Sequence, residues 1–362
     1  AKAVQIFVLR KTHSKTLREK MKKILVASSA LVAVGFAGAA QASEPISLSV
    51  GGYMEQWAGV ASQDNAYESV NAFQSDTEVH FAGATTLDNG IEVGAKIEME
   101  GEEAAGAQVD EQYLYINGGF GQVKLGQEDG PSTDMVTVAP STGPVNAQDG
   151  DLGNWVSIQG ATANIYGYSD AKKVTYYTPV LAGFRAGVSY TDDHLSEHND
   201  TSTAGDERYT LGLEYIGDFD GVSVKVSGIA DGTGDEGENY HIGANVGFGA
   251  FTVGGSYGEA NSEYDGASDS ATNSDRFGYD FGVGYSMDAA TVTLTYFYSE
   301  DENGSATSED TLSNLHLGLS YTLGAGVTWK SSVFMFDNER GTTTASDDND
   351  GFGAVTGLAL SF

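Results

Sequence analysis

From residue 46 onward, apolar and polar side chains alternate with a period of two, in runs cut by turn-forming residues. In 91–100, Ile91, Val93, Ala95, Ile97 and Met99 fall on one phase and Glu92, Gly94, Lys96, Glu98 and Glu100 on the other. In 208–215 the apolar phase is Tyr209, Leu211, Leu213 and Tyr215, and in 276–285 it is Phe277, Tyr279, Phe281, Val283 and Tyr285. Period two is the signature of a strand with one buried face, because successive side chains of an extended chain point to opposite sides.

The connections between runs alternate between short and long. Short ones lie near 88–90, 118–121, 180–183, 217–221, 247–250, 287–290 and 323–326. Polar, acidic ones lie near 61–72, 101–108, 129–173, 192–207, 231–239, 258–275, 299–311 and 337–350. Seven short and eight long connections imply sixteen strands. The even number puts both chain ends on the short-turn side, the pattern of bacterial outer-membrane barrels. The first strand is 46–50 and the last, 352–362, carries Phe352, Ala354, Thr356, Leu358, Leu360 and Phe362 on one phase.

A closed sheet of that size is too wide to fill with side chains, so its apolar phase must meet lipid and its polar phase water. Tyr215, Phe251, Tyr285, Tyr321 and Phe362 sit on the apolar phase beside short turns. Tyr190, Tyr209, Tyr240, Tyr257, Phe277, Tyr298 and Phe352 sit on it beside long loops. Two aromatic rings bounding an apolar band are the girdles of a membrane barrel, whereas a soluble sandwich would not concentrate aromatics at both strand ends. The expected fold is an all-β, 16-stranded antiparallel transmembrane β-barrel with short periplasmic turns and long outer loops.

Residues 1–42 stand apart. Met21 opens a basic stretch (Lys22, Lys23), then an apolar small-residue run from Ile24 to Ala40 and an A-x-A site at 40–42. This predicts a secretory signal peptide at 21–42, with 1–20 an upstream or mis-set start and 43–362 the barrel domain. Eight of the 18 basic residues and one of the 51 acids precede residue 43, which leaves 43–362 with a net charge near −40. A chain so acidic cannot neutralise phosphates, which excludes nucleic-acid binding. There is no cysteine, so no disulfide framework is expected.

The segment "ISLSVGGYMEQWAG" after the leader, "YLYINGGFGQVKLGQEDGP" at 113–131 and the terminal Phe362 resemble the Gram-negative general diffusion porins. The resemblance covers the whole of 43–362. It implies a homotrimer of sixteen-stranded barrels, each narrowed by an inward-folded third loop, embedded in outer-membrane lipid and lipopolysaccharide. It also implies that Phe362 is the assembly signal read by the barrel-assembly machinery. The chain departs from the family in its sparse basic residues.

The 129–173 connection is the longest, and loops of that length are seldom without function. It is expected to fold into the lumen as a constriction carrying Asp129, Asp134, Asp149 and Asp151, with Trp155 as an anchor. By phase, Glu55, Asp76, Glu78, Lys96, Lys124 and Arg185 face the lumen, and Lys96, Lys124 and Arg185 are expected to oppose the loop acids. Opposed charges across a narrow gap make a transverse field that orients dipolar solutes.

Three motif matches lack their structural context. Gly254–Gly258 fits a nucleophile elbow but lies within a strand pattern. Gly232–Gly237 fits a dinucleotide loop but is flanked by acids. His194–His198 fits an inverted zinc-protease spacing within an Asp-rich loop. The acids at 347–350 offer hard oxygen ligands without calcium-loop spacing. The expected function is passive diffusion of small hydrophilic solutes and ions, cation-preferring, without cofactor or catalysis. A substrate-selective channel on the same fold, a barrel-embedded enzyme and an adhesin are the alternatives.

Overall fold

The computed structural model describes residues 45–64, 72–101, 109–146, 148–161, 167, 170–192, 206–234, 236–264, 275–302, 309–341 and 348–362. The expected leader and the motif at 194–198 lie outside the described residues, as does part of the acidic run at 347–350. The strands are β1 (Ser47–Ser62), β2 (Phe73–Thr86), β3 (Glu92–Glu100), β4 (Val109–Gly118), β5 (Gly121–Glu128), β6 (Ala171–Tyr177), β7 (Phe184–Thr191) and β8 (Arg208–Phe219). They continue as β9 (Val222–Thr233), β10 (Gly237–Phe248), β11 (Phe251–Ala260), β12 (Arg276–Met287), β13 (Ala290–Glu302), β14 (Glu309–Gly324), β15 (Val327–Glu339) and β16 (Asn349–Ser361). Each pairs antiparallel with its chain neighbour, and β1 pairs with β16 to close the barrel. Closure leaves no sheet edge to satisfy inside a bilayer.

At the seam the chain end is held by its backbone. Gly52 donates to the carbonyl of Phe362 at 3.0 Å, and Phe362 donates back to Gly52 at 3.1 Å. The Phe362 side chain is left 66% exposed on the outer wall. The short turns are tight. Gly221, Gly249 and Gly326 take positive φ in three of them, the backbone state that a hairpin turn of this hand requires.

Outward and inward faces follow the alternation. Leu213, Ile242, Phe281, Leu294, Leu317 and Val333 are exposed on the outside. Outward aromatics pack ring to ring across neighbouring strands, as in Phe184–Tyr215 at 4.7 Å, Tyr190–Tyr209 at 5.1 Å and Phe251–Tyr285 at 4.7 Å. Among the described residues no helix is long and apolar enough to cross a membrane; the strands are the crossing elements.

Two expectations on connections need correction. The fifth outer loop, expected over 231–239, shrinks to three residues, because Thr233 pairs with Gly237 and Asp231 with Asn239 in a continued β9–β10 ladder. Its acidic, glycine-rich composition looks like loop, but Thr210 donates to Asp231 at 3.1 Å across β8–β9 and so ties that stretch into the sheet. The first strand also runs well past residue 50, to Ser62. Gly254–Gly258 lies within β11, and Gly232–Gly237 spans the β9–β10 turn with no helix after it, so neither can present its motif's chemistry.

Candidate functional site in the lumen

The connection from β5 to β6 enters the barrel and lies along its inner wall. It opens with a helical turn, α1 (Pro131–Asp134), which has Pro at its start where a missing N–H costs nothing. Met135 follows, fully buried with Tyr177 and Ile229 and facing the bare backbones of Gly187 and Gly212. From there the chain is strung strand by strand around the wall. Lys225 on β9 donates to the Val136 carbonyl at 3.4 Å, and Asn245 on β10 to that of Val138 at 3.0 Å. Asp280 on β12 accepts from the Ala139 amide at 2.9 Å. Thr295 on β13 donates to Pro140 at 2.6 Å, and Thr293 accepts from Thr142 at 3.0 Å. Side chains of successive strands thus take up backbone groups of an irregular segment that would otherwise be buried without partners.

Glycines on the wall make room for this path. A Cβ at Gly243 would land on the carbonyl oxygen of Thr137, and one at Gly318 on that of Thr142. A Cβ at Gly282 would come 2.8 Å from the Pro140 oxygen. These glycines fall on the polar phase of the alternation, where they read as neutral spacers; they are positions of close backbone approach.

The far end of the loop is seated differently. Val145, Leu152, Trp155 and Val156 join Trp57, Phe297, Leu312, Phe334, Phe336 and Val355 in one apolar cluster inside the barrel. Residues 151–154 form a 3₁₀ turn that leads Trp155 inward, and its ring stacks on the bare backbone of Gly59. Asn154 accepts from Gln74 at 2.6 Å, Ser157 donates to Gln63 at 2.8 Å, and Gln159 donates to Asn338 at 2.7 Å. Trp155 therefore anchors the loop, as expected. Its partners were missed because Phe297, Leu312, Phe334, Phe336 and Val355 occupy a phase assigned to water. The detectable signal was the interruption itself: aromatic and aliphatic residues on the polar phase of adjacent strands β13–β16.

The predicted charged residues are only partly brought together. Lys124 pairs with Asp134 at 3.1 Å and with the buried Glu128 at 2.7 Å, and Tyr177 also donates to Asp134. Lys96 pairs with Glu98 on its own strand, and Arg185 with Glu214 across β7–β8 at 2.7 Å. Neither is paired with a loop acid in the way the phase argument anticipated. Each finds a carboxylate on the same wall first, where rigid strands place the partners at no extra ordering cost.

Asp129 sits at the loop entrance, where its amide donates to Glu111 at 3.0 Å. Burial and then the charge of Asp134 push its carboxyl up to about 6. Asp149 accepts from Asn146 at 3.3 Å and its side chain reaches lumen water. Enclosure by the surrounding barrel still raises its carboxyl above the ordinary range. Asp151 is pushed up to about 7 by burial first, and then by the negative charges of Asp149, Asp76 and Glu55. The loop tip thus lies on an acidic side of the lumen, where Glu55 is answered by Lys330 at 2.8 Å.

Residues 27–341 match the model of the Gram-negative porin family. The chain belongs to this family. Outer membrane porin protein 32 of Delftia acidovorans is 27% identical over 280 residues, covering 73% of this chain and 77% of that protein. An anion-selective porin from Comamonas acidovorans has the same fold, with a TM-score of 0.64 at 19% identity over 88% of this chain and all of its own. OmpT of Vibrio cholerae, in a form described as trimeric, superposes with a TM-score of 0.59 at 12% identity, over 88% of this chain and all of its own. The porin described here is accordingly an outer-membrane β-barrel whose lumen, narrowed by the inward loop, is a path for diffusion.

Proposed function

We propose that this porin is a passive general diffusion pore with a preference for cations, working without cofactor or catalysis. The observation that carries the preference is that six of the ten bases in 43–362 are paired with carboxylates. Lys96, Lys124, Arg185, Arg208, Lys330 and Arg340 are each engaged with a carboxylate. Asp76, Glu78, Asp149 and Asp151 add negative charge beyond those pairs on the β1–β2 side of the lumen and the loop tip. Fixed charge of one sign in an aqueous channel with low-dielectric walls concentrates the opposite ion, and the effect fades as salt rises. Anion selectivity is a property of the Comamonas relative, and the balance of charge in this chain argues the other way. The test is a planar-bilayer recording across a potassium chloride gradient. A cation-selective reversal potential that weakens with salt supports the reading, and an anion-selective one overturns it. A current blocked by micromolar solute would instead favour a substrate-selective channel.

Three further assignments belong to the same reading. Residues 21–42 act as a cleaved leader. Asp129, Asp134, Asp149, Asp151, Lys96, Lys124 and Arg185 set the field at the constriction. The porin assembles as a homotrimer in lipid and lipopolysaccharide, with Phe362 presented to the assembly machinery. The trimer has support in the outer wall: Leu48, Val50, Met54 and Val60 of β1, Ile97 of β3, Leu114 of β4 and Leu125 of β5 are exposed and aliphatic. Among the described residues the outward ring-to-ring pairs start at β7, and Phe73 is an exposed aromatic on β2; a face dominated by aliphatic side chains suits protein more than a lipid–water boundary. Deleting Phe362 should lower the amount of heat-modifiable oligomer in the outer membrane; normal amounts would remove that assignment.

A further inference from the structure

The lumen wall carries a histidine set between two carboxylates, an arrangement that passive diffusion does not require. Glu78 and His80 are two residues apart on β2, and the period of two brings both to the lumen. Glu98 on β3 is the register partner of His80. The Nε2 atom of His80 lies 2.7 Å from a Glu78 oxygen and 3.0 Å from a Glu98 oxygen. An imidazole nitrogen carries at most one proton. It can satisfy one of these carboxylates well and not both.

Two neighbours hold the arrangement in place. Lys96 takes the other oxygen of Glu98, which turns the first one toward His80. The ring of Tyr53 meets the His80 ring edge-on with centroids 6.1 Å apart, and its hydroxyl is fixed by Asp76 at 3.0 Å. The side chains remain 24% exposed at His80, 13% at Glu78 and 10% at Glu98, which leaves a water-accessible opening from the lumen.

We propose that Glu78, His80 and Glu98 form a binding site for a divalent transition-metal cation on the wall of the pore. The donor set is one imidazole nitrogen and two carboxylate oxygens, which selects borderline cations such as Zn²⁺ over the purely oxygen-seeking Mg²⁺ and Ca²⁺. Ligand atoms around one tetrahedral zinc lie roughly 3–3.5 Å apart. The two nitrogen–oxygen separations of 2.7 and 3.0 Å would open by about half an ångström, and all three ligand atoms lie within 4.8 Å of one another, with lumen water as the fourth ligand. Binding would place two positive charges on an otherwise acidic wall and reduce the field felt by permeating cations. The site thereby makes the pore sensitive to metal ions outside the cell.

The direct test is equilibrium dialysis of Zn²⁺ against the purified, detergent-solubilised porin. The wild type should hold one Zn²⁺ per chain that millimolar Mg²⁺ does not displace. His80→Gln and Glu98→Gln should each weaken binding by about tenfold or more, while the double variant His194→Gln/His198→Gln, at positions outside the described residues, leaves it unchanged. Should a lumen variant fold poorly, X-ray absorption of zinc bound to the unmutated protein gives an independent reading. One imidazole with oxygen ligands supports the site. Oxygen ligands without imidazole, equal affinity in His80→Gln, or displacement by Mg²⁺ at matched concentration would each overturn it.

Discussion

The outward and inward faces of the same strands obey different rules. On the outside of β8, β12 and β14 the residues are Leu211 and Leu213, Tyr279 and Phe281, Leu315 and Leu317, whose shared requirement is to be apolar toward lipid. On the inside, at matching heights, stand Gly212, Gly282 and Gly318, whose requirement is set by single atoms of a loop far away in the chain. Lipid imposes one demand on many positions and tolerates exchange among apolar residues. A backbone laid against the wall imposes a separate demand at each position and tolerates little, since close-packed interiors have no slack for an added carbon.

The largest effect should come from adding one carbon on each side. Gly243→Ala and Gly318→Ala, combined, should push the loop off the wall and raise or destabilise single-channel conductance. Gly228→Ala, on the outer face, where a Cβ meets only the His241 carbonyl at 4.0 Å, should leave the current unchanged. Equal behaviour of the inner and outer variants would dissolve the contrast. Next comes the apolar seat. Trp155→Ala removes a ring buried to 2% exposure, and such truncations cost about 3–5 kcal/mol. The loss falls on loop seating more than on the barrel. Protease access to the 151–159 segment and current noise should therefore increase while heat-modifiable migration of the barrel persists. Unchanged protection would mean that the cluster does not hold the loop.

The smallest expected effect is electrostatic. A carboxyl raised to about 7 loses its charge as pH falls through 7 rather than through 4, so Asp151 is charged at pH 8 and largely neutral at pH 6. Cation selectivity should decline modestly over that interval, and Asp151→Asn should flatten this part of the profile. A wild-type profile flat from pH 8 to pH 6 would show that Asp151 does not contribute to the field. By the same linkage, a carboxyl held above its unfolded value favours folding more as pH falls, so the loop should be slightly better seated at pH 6 than at pH 8.

The contrast between faces also explains what could be read in advance. Strand number, the long third loop and the outward aromatics were legible because lipid contact writes a period of two into every strand. The β9–β10 turn was misjudged, since Asp231 and Asn239 are as polar in a paired ladder as in a loop. The partners of Trp155 were invisible because Phe297 on β13 and Val355 on β16 acquire meaning only once the loop is placed beside them. Lys124 meets the loop acid Asp134, as its phase suggested, whereas Lys96 and Arg185 stand on the expected face but pair with wall carboxylates. Phase gives the side of a sheet, and it does not say which of several acids is nearest to Lys96 or Arg185.

The central claim is that the segment between β5 and β6 sets the width of this pore from inside. The most direct measurement is the single-channel conductance of a variant shortened between residues 134 and 155, paired with liposome swelling against sugars of increasing size. A larger conductance and entry of larger sugars are expected, with the barrel still inserted and heat-modifiable. An inserted barrel with unchanged conductance and the same size limit would contradict it.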